Sequence, residues 1–214
     1  MEVRDIRAVL FDMDGTLVNS DAAVDRAWTR WAEEYGVPAA EALAIAHGRP
    51  SDATIARLRP DLSPGERSAA VARLLDIECD DLTDVVPAAG AIGLIGTLER
   101  RGLPWAVFTS ASARLAKVRL GAAGISPSIL VTVDDVTRGK PDPEGYLRAA
   151  ELLGVPAQHC LVVEDTEVGL AAGRAAGAMT AGLKGTTADL ELPDLHRLVA
   201  VFTHNEGPTT PGPE

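Results

Sequence analysis

Short apolar runs that alternate with helical segments constrain the fold of this chain more than any other feature of its sequence. The strand candidates are residues 6–11, 105–109, 129–133 and 160–164, with weaker ones at 178–183 and 198–203. The segments with helical periodicity are residues 89–101, 113–123, 143–153 and 168–176. This alternation predicts an α/β fold in which helical crossovers connect the strands of a parallel sheet. In such a sheet, ligands bind beyond the carboxyl ends of the strands.

The stretch from residue 19 to residue 86 departs from this alternation, because its pattern is helical and contains no convincing strand. We therefore predict an inserted helical domain at 19–86, with a core domain formed by 1–18 and 87–203. Residues 204–214 have no apolar content able to offset the entropy of ordering them, so we predict a disordered tail there.

The chain is acidic, since 31 Asp and Glu against 20 Lys and Arg give its 214 residues a formal net charge of −11. A field of this sign repels nucleic acid, which we therefore exclude as a partner. It also opposes the approach of an anionic small molecule. Such a substrate must be captured by local donors and a bound cation.

The sequence gives no sign of secretion or of a membrane anchor. No apolar run approaches the roughly 18–20 residues of a membrane span, and residues 1–7 lack the features of a signal peptide. Cys79 and Cys160 are expected to be reduced thiols. We expect a cytoplasmic protein with no membrane partner and, because no long heptad seam occurs, a monomer.

Two carboxylates, Asp12 and Asp14, follow the first apolar run. The period of two in a strand would aim both side chains the same way. Because two acids held this close repel each other unless a cation or a proton lies between them, the pair suits a metal site or acid–base chemistry. A plain Asp-Gly turn after a strand is the alternative.

Polar residues also follow two later strand candidates. Thr109-Ser110 carries hydroxyls able to donate to a phosphoryl oxygen, and Glu164-Asp165 carries carboxylates where a metal ligand is expected. Between them, the sequence GKPDP holds Lys140 in a rigid loop before a helix. Each piece alone is compatible with a helix cap, a turn or a solvated loop. Their order along one chain favours a single site.

Together these pieces resemble the four motifs of the haloacid dehalogenase superfamily. The motifs are DMDGT from Asp12, Thr109-Ser110, Lys140 within GKPDPEGY, and Glu164-Asp165 within EDTEVGL. The resemblance spans about residues 6–183 and implies a Rossmann-like core. The position of the helical insertion resembles the C1 cap of subfamily IA. Ala111 stands where the closest relatives usually have Gly, which predicts a small change in that loop.

The resemblance implies a Mg²⁺-dependent phosphatase and a role for each catalytic side chain. Asp12 would be the nucleophile that forms a phospho-aspartyl intermediate. Asp14 would protonate the leaving alkoxide and then activate water. Thr109 and Lys140 would hold the phosphoryl oxygens, with Ser110 as a further substrate contact.

The same resemblance implies a metal site with oxygen ligands only. Asp12 would bind Mg²⁺ through one carboxylate oxygen, and Asp14 through its backbone carbonyl. Asp165 would be the second carboxylate, and Glu164 a nearer or outer-shell ligand. Hard oxygen ligands favour magnesium over zinc.

A further resemblance concerns the substrate. The segment AHGRPSD at residues 46–52 resembles the cap signature of sugar and polyol phosphatases, a group that includes 2-deoxyglucose-6-phosphate, mannitol-1-phosphate and glycerol-phosphate phosphatases. His47 and Arg49 would then face the active site and donate to sugar hydroxyls or to the phosphate. In the alternative, His47 caps a helix and Arg49 pairs on the surface. The presence of Asp14 argues against dehalogenation, because a halide leaving group needs no acid.

Other functions remain as alternatives. A beta-phosphoglucomutase would share the core and the cap type but return the phosphoryl group to a sugar, and a phosphoglycolate phosphatase would share the chemistry. A non-catalytic sensor of phosphorylated metabolites is a third alternative. The sensor is disfavoured because Asp12 and Asp14, which binding alone does not need, are both present.

Overall fold

A parallel sheet forms the centre of the molecule. The computed structural model describes residues 5–46 and 50–204. Its strands are β1 Ala8–Phe11, β2 Val18–Asn19, β3 Val86–Pro87, β4 Trp105–Phe108, β5 Leu130–Val131, β6 Cys160–Glu164, β7 Met179–Gly182 and β8 Leu190–Glu191. Six of them form one sheet in the order β5-β4-β1-β6-β7-β8, and every neighbouring pair is parallel. This arrangement confirms the predicted α/β fold.

Helices lie between these strands along the chain. Within the described residues they are α1 Asp21–Tyr35, α2 Ala39–Ala46, α3 Ser51–Leu58, α4 Pro64–Asp80, α5 Ala91–Arg100, α6 Ala113–Ala122, α7 Glu144–Leu153, α8 Glu167–Ala175 and α9 His196–His204. The connections that follow β4 and β6 each contain a helix, as parallel crossovers require. None of the helices in the part of the chain that the structure describes is both long and apolar enough to cross a bilayer.

Alternate residues of the central strands enter different apolar clusters. Val9 and Phe11 of β1 belong to one cluster, which also contains the buried side chains of α5 and α9. Ala8 and Leu10 belong to a second, which contains buried residues of α7 and α8. Because a strand turns successive side chains to opposite faces, the continuous apolar run of β1 reflects burial of the sheet on both faces.

The helices α1 to α4 have an apolar cluster of their own. It includes Trp28, Trp31, Ile55 and Leu74, and the indole Nε1 of Trp31 donates to the carbonyl of Ala70 at 3.0 Å. These helices lie between β2 and β3, which pair antiparallel and which the sequence did not predict. A separate cluster is consistent with an inserted domain. Its boundaries at residues 19 and 86 stay predictions.

The strand predicted at residues 198–203 is wrong, because this segment belongs to α9. Leu195, Leu198 and Phe202 are buried at helical spacing, and α9 packs against α5. The valines in this short run favoured a strand by composition, but the contact with α5 determines its conformation. His204, predicted as the first residue of the tail, ends the helix, and residues 205–214 lie outside the described residues.

Replacing Leu74 by Ala tests the cluster of α1 to α4. Leu74 is fully buried on α4, so Leu74→Ala should lower the free energy of unfolding by about 2–5 kcal/mol through lost burial and the cavity left behind. Leu152→Ala is the matched control, because Leu152 is 49% exposed and its truncation should change stability by at most about 0.5 kcal/mol. Urea denaturation followed by tryptophan fluorescence measures both. Equal effects of the two substitutions would contradict the packing described.

Candidate active site

All the predicted motif residues except the buried Glu164 meet in one cavity of about 340 Å³ at the carboxyl ends of the central strands. Those that line it are Asp12, Asp14, Thr109, Ser110, Lys140 and Asp165. Helices α1, α3 and α4 line the same cavity with side chains that include Trp28, Ser51, Asp52, Val71, Leu75 and Glu78. His47 and Arg49 lie outside the described residues, so their predicted contacts with substrate stay predictions.

The sheet register explains why residues so distant in sequence converge. Phe11 of β1 lies opposite Val107 of β4 on one side and Val163 of β6 on the other. The residues that follow these three positions therefore emerge at one edge of the sheet. The backbone N–H of Asp12 still donates to the carbonyl of Val163 at 3.0 Å, which ties the loop after β1 to β6.

Lys140 joins the first motif to the fourth. Its ammonium group is 2.5 Å from Oδ1 of Asp12 and 2.6 Å from Oε1 of Glu164, and all three side chains are almost completely buried. Burial opposes the charge of Lys140, but the two carboxylates outweigh it and raise the pKa of the ammonium. Lys140 therefore remains protonated.

Glu164 holds Lys140 from below the cavity and is itself fully buried. The hydroxyl of Tyr146 donates to its Oε1 at 2.7 Å, and that of Thr166 donates to its Oε2 at 3.1 Å. Gly169 on α8 leaves room for this carboxylate, since a Cβ there would lie 1.9 Å from Glu164 Oε1. The position of Glu164 thus depends on its neighbours from α7 and α8.

The loop after β1 requires Gly15 for two reasons. Its φ is +80°, in the left-handed region that side chains disfavour. A Cβ at this position would also lie 2.1 Å from Oδ2 of Asp165. The Asp-Gly step of the first motif is therefore a turn as well as part of the site, and it brings the loop against Asp165.

Both carboxylate oxygens of Asp14 accept hydrogen bonds. The hydroxyl of Ser20 donates to Oδ1 at 2.6 Å, and Nη1 of Arg119 donates to Oδ2 at 2.9 Å. The side chain of Asp14 is 28% exposed, so it is both held in place and accessible from the cavity.

Three acidic side chains form a group that fits a metal ion. Carboxylate oxygens of Asp12, Glu164 and Asp165 lie within 4.8 Å of one another. Within the described residues, Oδ1 of Asp165 is buried and has no hydrogen-bond partner, as expected of an atom that binds a cation. Burial and the other two carboxylates raise the pKa of Asp12 well above its ordinary value, despite Lys140. A divalent cation would offset this excess of negative charge, so the residues fit a metal site.

Several residues around the site were not predicted. They are Ser20, Glu78, Arg119, Tyr146, Thr166 and Lys184. Thr166 caps α8 and Arg119 interrupts an apolar helix face, and both features are visible in the sequence. The ammonium of Lys184 lies 3.1 Å from Asp165 and 2.8 Å from Asp21. No sequence motif marks this lysine as part of the site.

Comparison with known proteins gives consistent matches over most of the chain. The sequence profile of the haloacid dehalogenase-like hydrolases matches residues 6–177. Hexitol phosphatase A from Escherichia coli (strain K12) is 41% identical over 172 residues, which cover 80% of this chain and 80% of that protein. The 2-deoxyglucose-6-phosphate phosphatase 1 of Saccharomyces cerevisiae is 36% identical over 193 residues, 81% of this chain and 78% of that protein. A crystal structure of a hydrolase from Pseudomonas syringae has a TM-score of 0.82 at 26% identity and covers 94% of this chain and 99% of its own.

Replacing Gly169 by Ala tests the packing that positions Glu164. The added Cβ must displace the Glu164 carboxylate, so Gly169→Ala should lower the free energy of unfolding by about 1–3 kcal/mol. Gly65→Ala is the matched control, because Gly65 also lies in the first turn of a helix but has open space around it. The control should leave stability unchanged or raise it by up to about 1 kcal/mol. Chemical denaturation of both variants measures the difference, and a Gly169→Ala chain as stable as the wild type would contradict the packing.

Proposed function

This chain belongs to the haloacid dehalogenase-like hydrolases, and from that membership we propose that it is a Mg²⁺-dependent phosphatase of small sugar or polyol phosphate monoesters. The family match confirms the resemblance predicted from the four motifs. The observation that carries the proposal is the buried contact between Asp12 and Lys140 in a cavity that Thr109 and Ser110 also line. A carboxylate nucleophile, a fixed cation and hydroxyl donors are the groups that phosphoryl transfer requires.

In the proposed reaction, a carboxylate oxygen of Asp12 attacks phosphorus while the bond from phosphorus to the leaving alkoxide breaks. Asp14 gives its proton to the alkoxide, and the phosphoryl group remains on Asp12 as an acyl phosphate. Asp14 then takes a proton from water, which attacks the phosphoryl group and releases inorganic phosphate. Asp12 is regenerated, and the proton released from water restores the acid form of Asp14.

Two sets of donors stabilise the charge on the phosphoryl oxygens in this proposal. Lys140 supplies a buried ammonium, and Thr109 with Ser110 supplies hydroxyls at the end of β4. Glu164 already contacts Lys140, Tyr146 and Thr166. Asp12, Asp165 and the backbone carbonyl of Asp14 would therefore hold the metal ion, which would supply further neutralisation of the dianionic ester. Their donor atoms are oxygens only, which supports magnesium.

The cavity and the relatives support a small polar substrate. A volume of about 340 Å³ lies at the lower end of the range of about 300–1,000 Å³ for small-molecule sites. Asp52 and Ser51 of the insertion offer polar groups for hydroxyls, beside the apolar Trp28 and Leu75. The relatives named above act on hexitol and 2-deoxyglucose phosphates, so we propose six-carbon sugar and polyol phosphates as the first substrates to assay. A cytoplasmic location and a monomeric state stay predictions.

Assays of released phosphate separate this function from its rivals. Hexitol phosphates and 2-deoxyglucose 6-phosphate should release phosphate faster than phosphoglycolate. Glucose 1-phosphate should release phosphate, and its conversion to glucose 6-phosphate would indicate a mutase instead. A wild-type protein that hydrolyses no ester, p-nitrophenyl phosphate included, with Mg²⁺ present would overturn the proposal and favour the sensor.

Replacing Asp12 by Asn tests the nucleophile. Asp12→Asn keeps the size of the side chain but removes the attacking carboxylate, so phosphate release should decrease by about four orders of magnitude or more. Asp84→Asn is the control, because the side chain of Asp84 is 72% exposed, and it should retain wild-type activity. Substantial turnover by Asp12→Asn, with circular dichroism like that of the wild type, would exclude Asp12 as the nucleophile.

Replacing Asp165 by Asn tests the metal site. Loss of an outer-shell partner typically costs about 10–100-fold in metal affinity, so removal of a direct carboxylate should weaken Mg²⁺ binding by at least about 10-fold. Isothermal titration calorimetry measures this affinity without substrate, again with Asp84→Asn as the control. Unchanged Mg²⁺ affinity in Asp165→Asn would place the metal elsewhere.

A further inference from the structure

Arg119 connects the core to the insertion at the active site. It lies on α6 with only 3% of its side chain exposed. Its Nη1 donates to Oδ2 of Asp14 at 2.9 Å, and its Nη2 donates to Oε1 of Glu78 on α4 at 3.0 Å. A guanidinium this buried is costly unless carboxylates pair with it. One side chain therefore links the proposed acid and base of the reaction to a helix of the insertion.

Arg119 completes the fixation of the Asp14 carboxylate. Ser20 already donates to Oδ1, and Arg119 donates to Oδ2, so each oxygen has a donor. A carboxylate with a donor on each oxygen has its plane fixed, whereas one with a single donor can rotate about the remaining contact. Because proton transfer depends on the distance and direction of the carboxyl oxygen, this fixation bears on the rate of the reaction.

Glu78 makes the fixation depend on the packing of α4. Its side chain is 11% exposed, and burial raises its pKa although Arg119 opposes the shift. Glu78 belongs to the insertion and Asp14 to the loop after β1. The two ends of the guanidinium can contact both carboxylates only while α4 lies against α6.

A second ion pair joins the same two helices and provides a control. Arg114 of α6 is 2.6 Å from Asp76 of α4, with the side chains 55% and 49% exposed. Exposed pairs of this kind contribute little to stability. The pair shares the helices of Arg119 and Glu78, but it joins Arg114 to Asp76 and not to Asp14.

We propose that Arg119 is a positioning residue that aims the Asp14 carboxylate at the leaving group, and that Glu78 makes this aim dependent on the docking of the insertion onto the core. The inference rests on the proposed phosphatase function. It adds two residues, one from each side of the cavity, to those that determine the rate of proton transfer. It predicts that replacing either residue lowers kcat/KM more for a substrate whose leaving group depends more on protonation.

The test compares two aryl esters of similar shape. Phenyl phosphate has the poorer leaving group and depends more on a proton donor than p-nitrophenyl phosphate does. Arg119→Lys keeps the charge, but it replaces the two separate nitrogens that donate to Asp14 and Glu78 by a single one, so the planar fork that fixes the Asp14 carboxylate is lost. The ratio of kcat/KM for p-nitrophenyl phosphate to that for phenyl phosphate should therefore rise by about tenfold or more. The upper limit is the whole contribution of general acid catalysis, about 10²–10⁴-fold.

Two further variants keep the test decisive. Glu78→Gln keeps the size of the side chain and removes its charge. The ratio should rise in this variant too, but by less than in Arg119→Lys. If the Arg119→Lys chain does not fold, Glu78→Gln alone tests the inference. Arg114→Gln should leave both rates and the ratio at the wild-type values. A ratio that stays within about twofold of the wild type in Arg119→Lys or Glu78→Gln, with wild-type circular dichroism, would overturn the inference while leaving the phosphatase function intact. A wild-type protein that hydrolyses neither ester would overturn both.

Discussion

The ammonium of Lys140, buried between Asp12 and Glu164, is the interaction on which the arrangement of the site depends. Lys140 is the cation common to both buried carboxylates, so its removal would leave two unpaired negative charges at low dielectric. Glu164 keeps its position through the hydroxyls of Tyr146 and Thr166. The placement of Asp12 is thus supported, through Lys140 and Glu164, by residues of α7 and of the N-terminus of α8.

The order of the strands supplies the other constraint. The first strand of the chain occupies the centre of the sheet, between β4 and β6, and both neighbours run parallel to it. Residues after these strands therefore meet at one edge, although Asp12 and Asp165 lie 153 positions apart in the sequence. Helices α1 to α4 follow the first motif and end before α5, so they can cover that edge without interrupting the sheet.

The core elements could be predicted from sequence because local pattern and tertiary environment agree there. The run at 160–164 matches β6 to the residue, since every side chain in it is buried and polar residues follow it. The run at 198–203 failed because its valines favour a strand while its contact with α5 requires a helix. The contacts of Glu78 and Arg119 could not be predicted, because they exist only through the packing of α4 against α6.

The two buried cations contribute differently to the two carboxylates of the first motif. Lys140 contacts Asp12 directly and carries a charge that its partner Glu164 shares, in a region closed to solvent. Arg119 is likewise shared by Asp14 and Glu78, but the Asp14 side chain is 28% exposed and reaches the cavity. In the proposed reaction, Asp12 and Asp14 need different surroundings, because Asp12 acts as an ionised nucleophile while Asp14 exchanges a proton. The fold gives each carboxylate a cation from a different element, the loop before α7 for Asp12 and the last turn of α6 for Asp14.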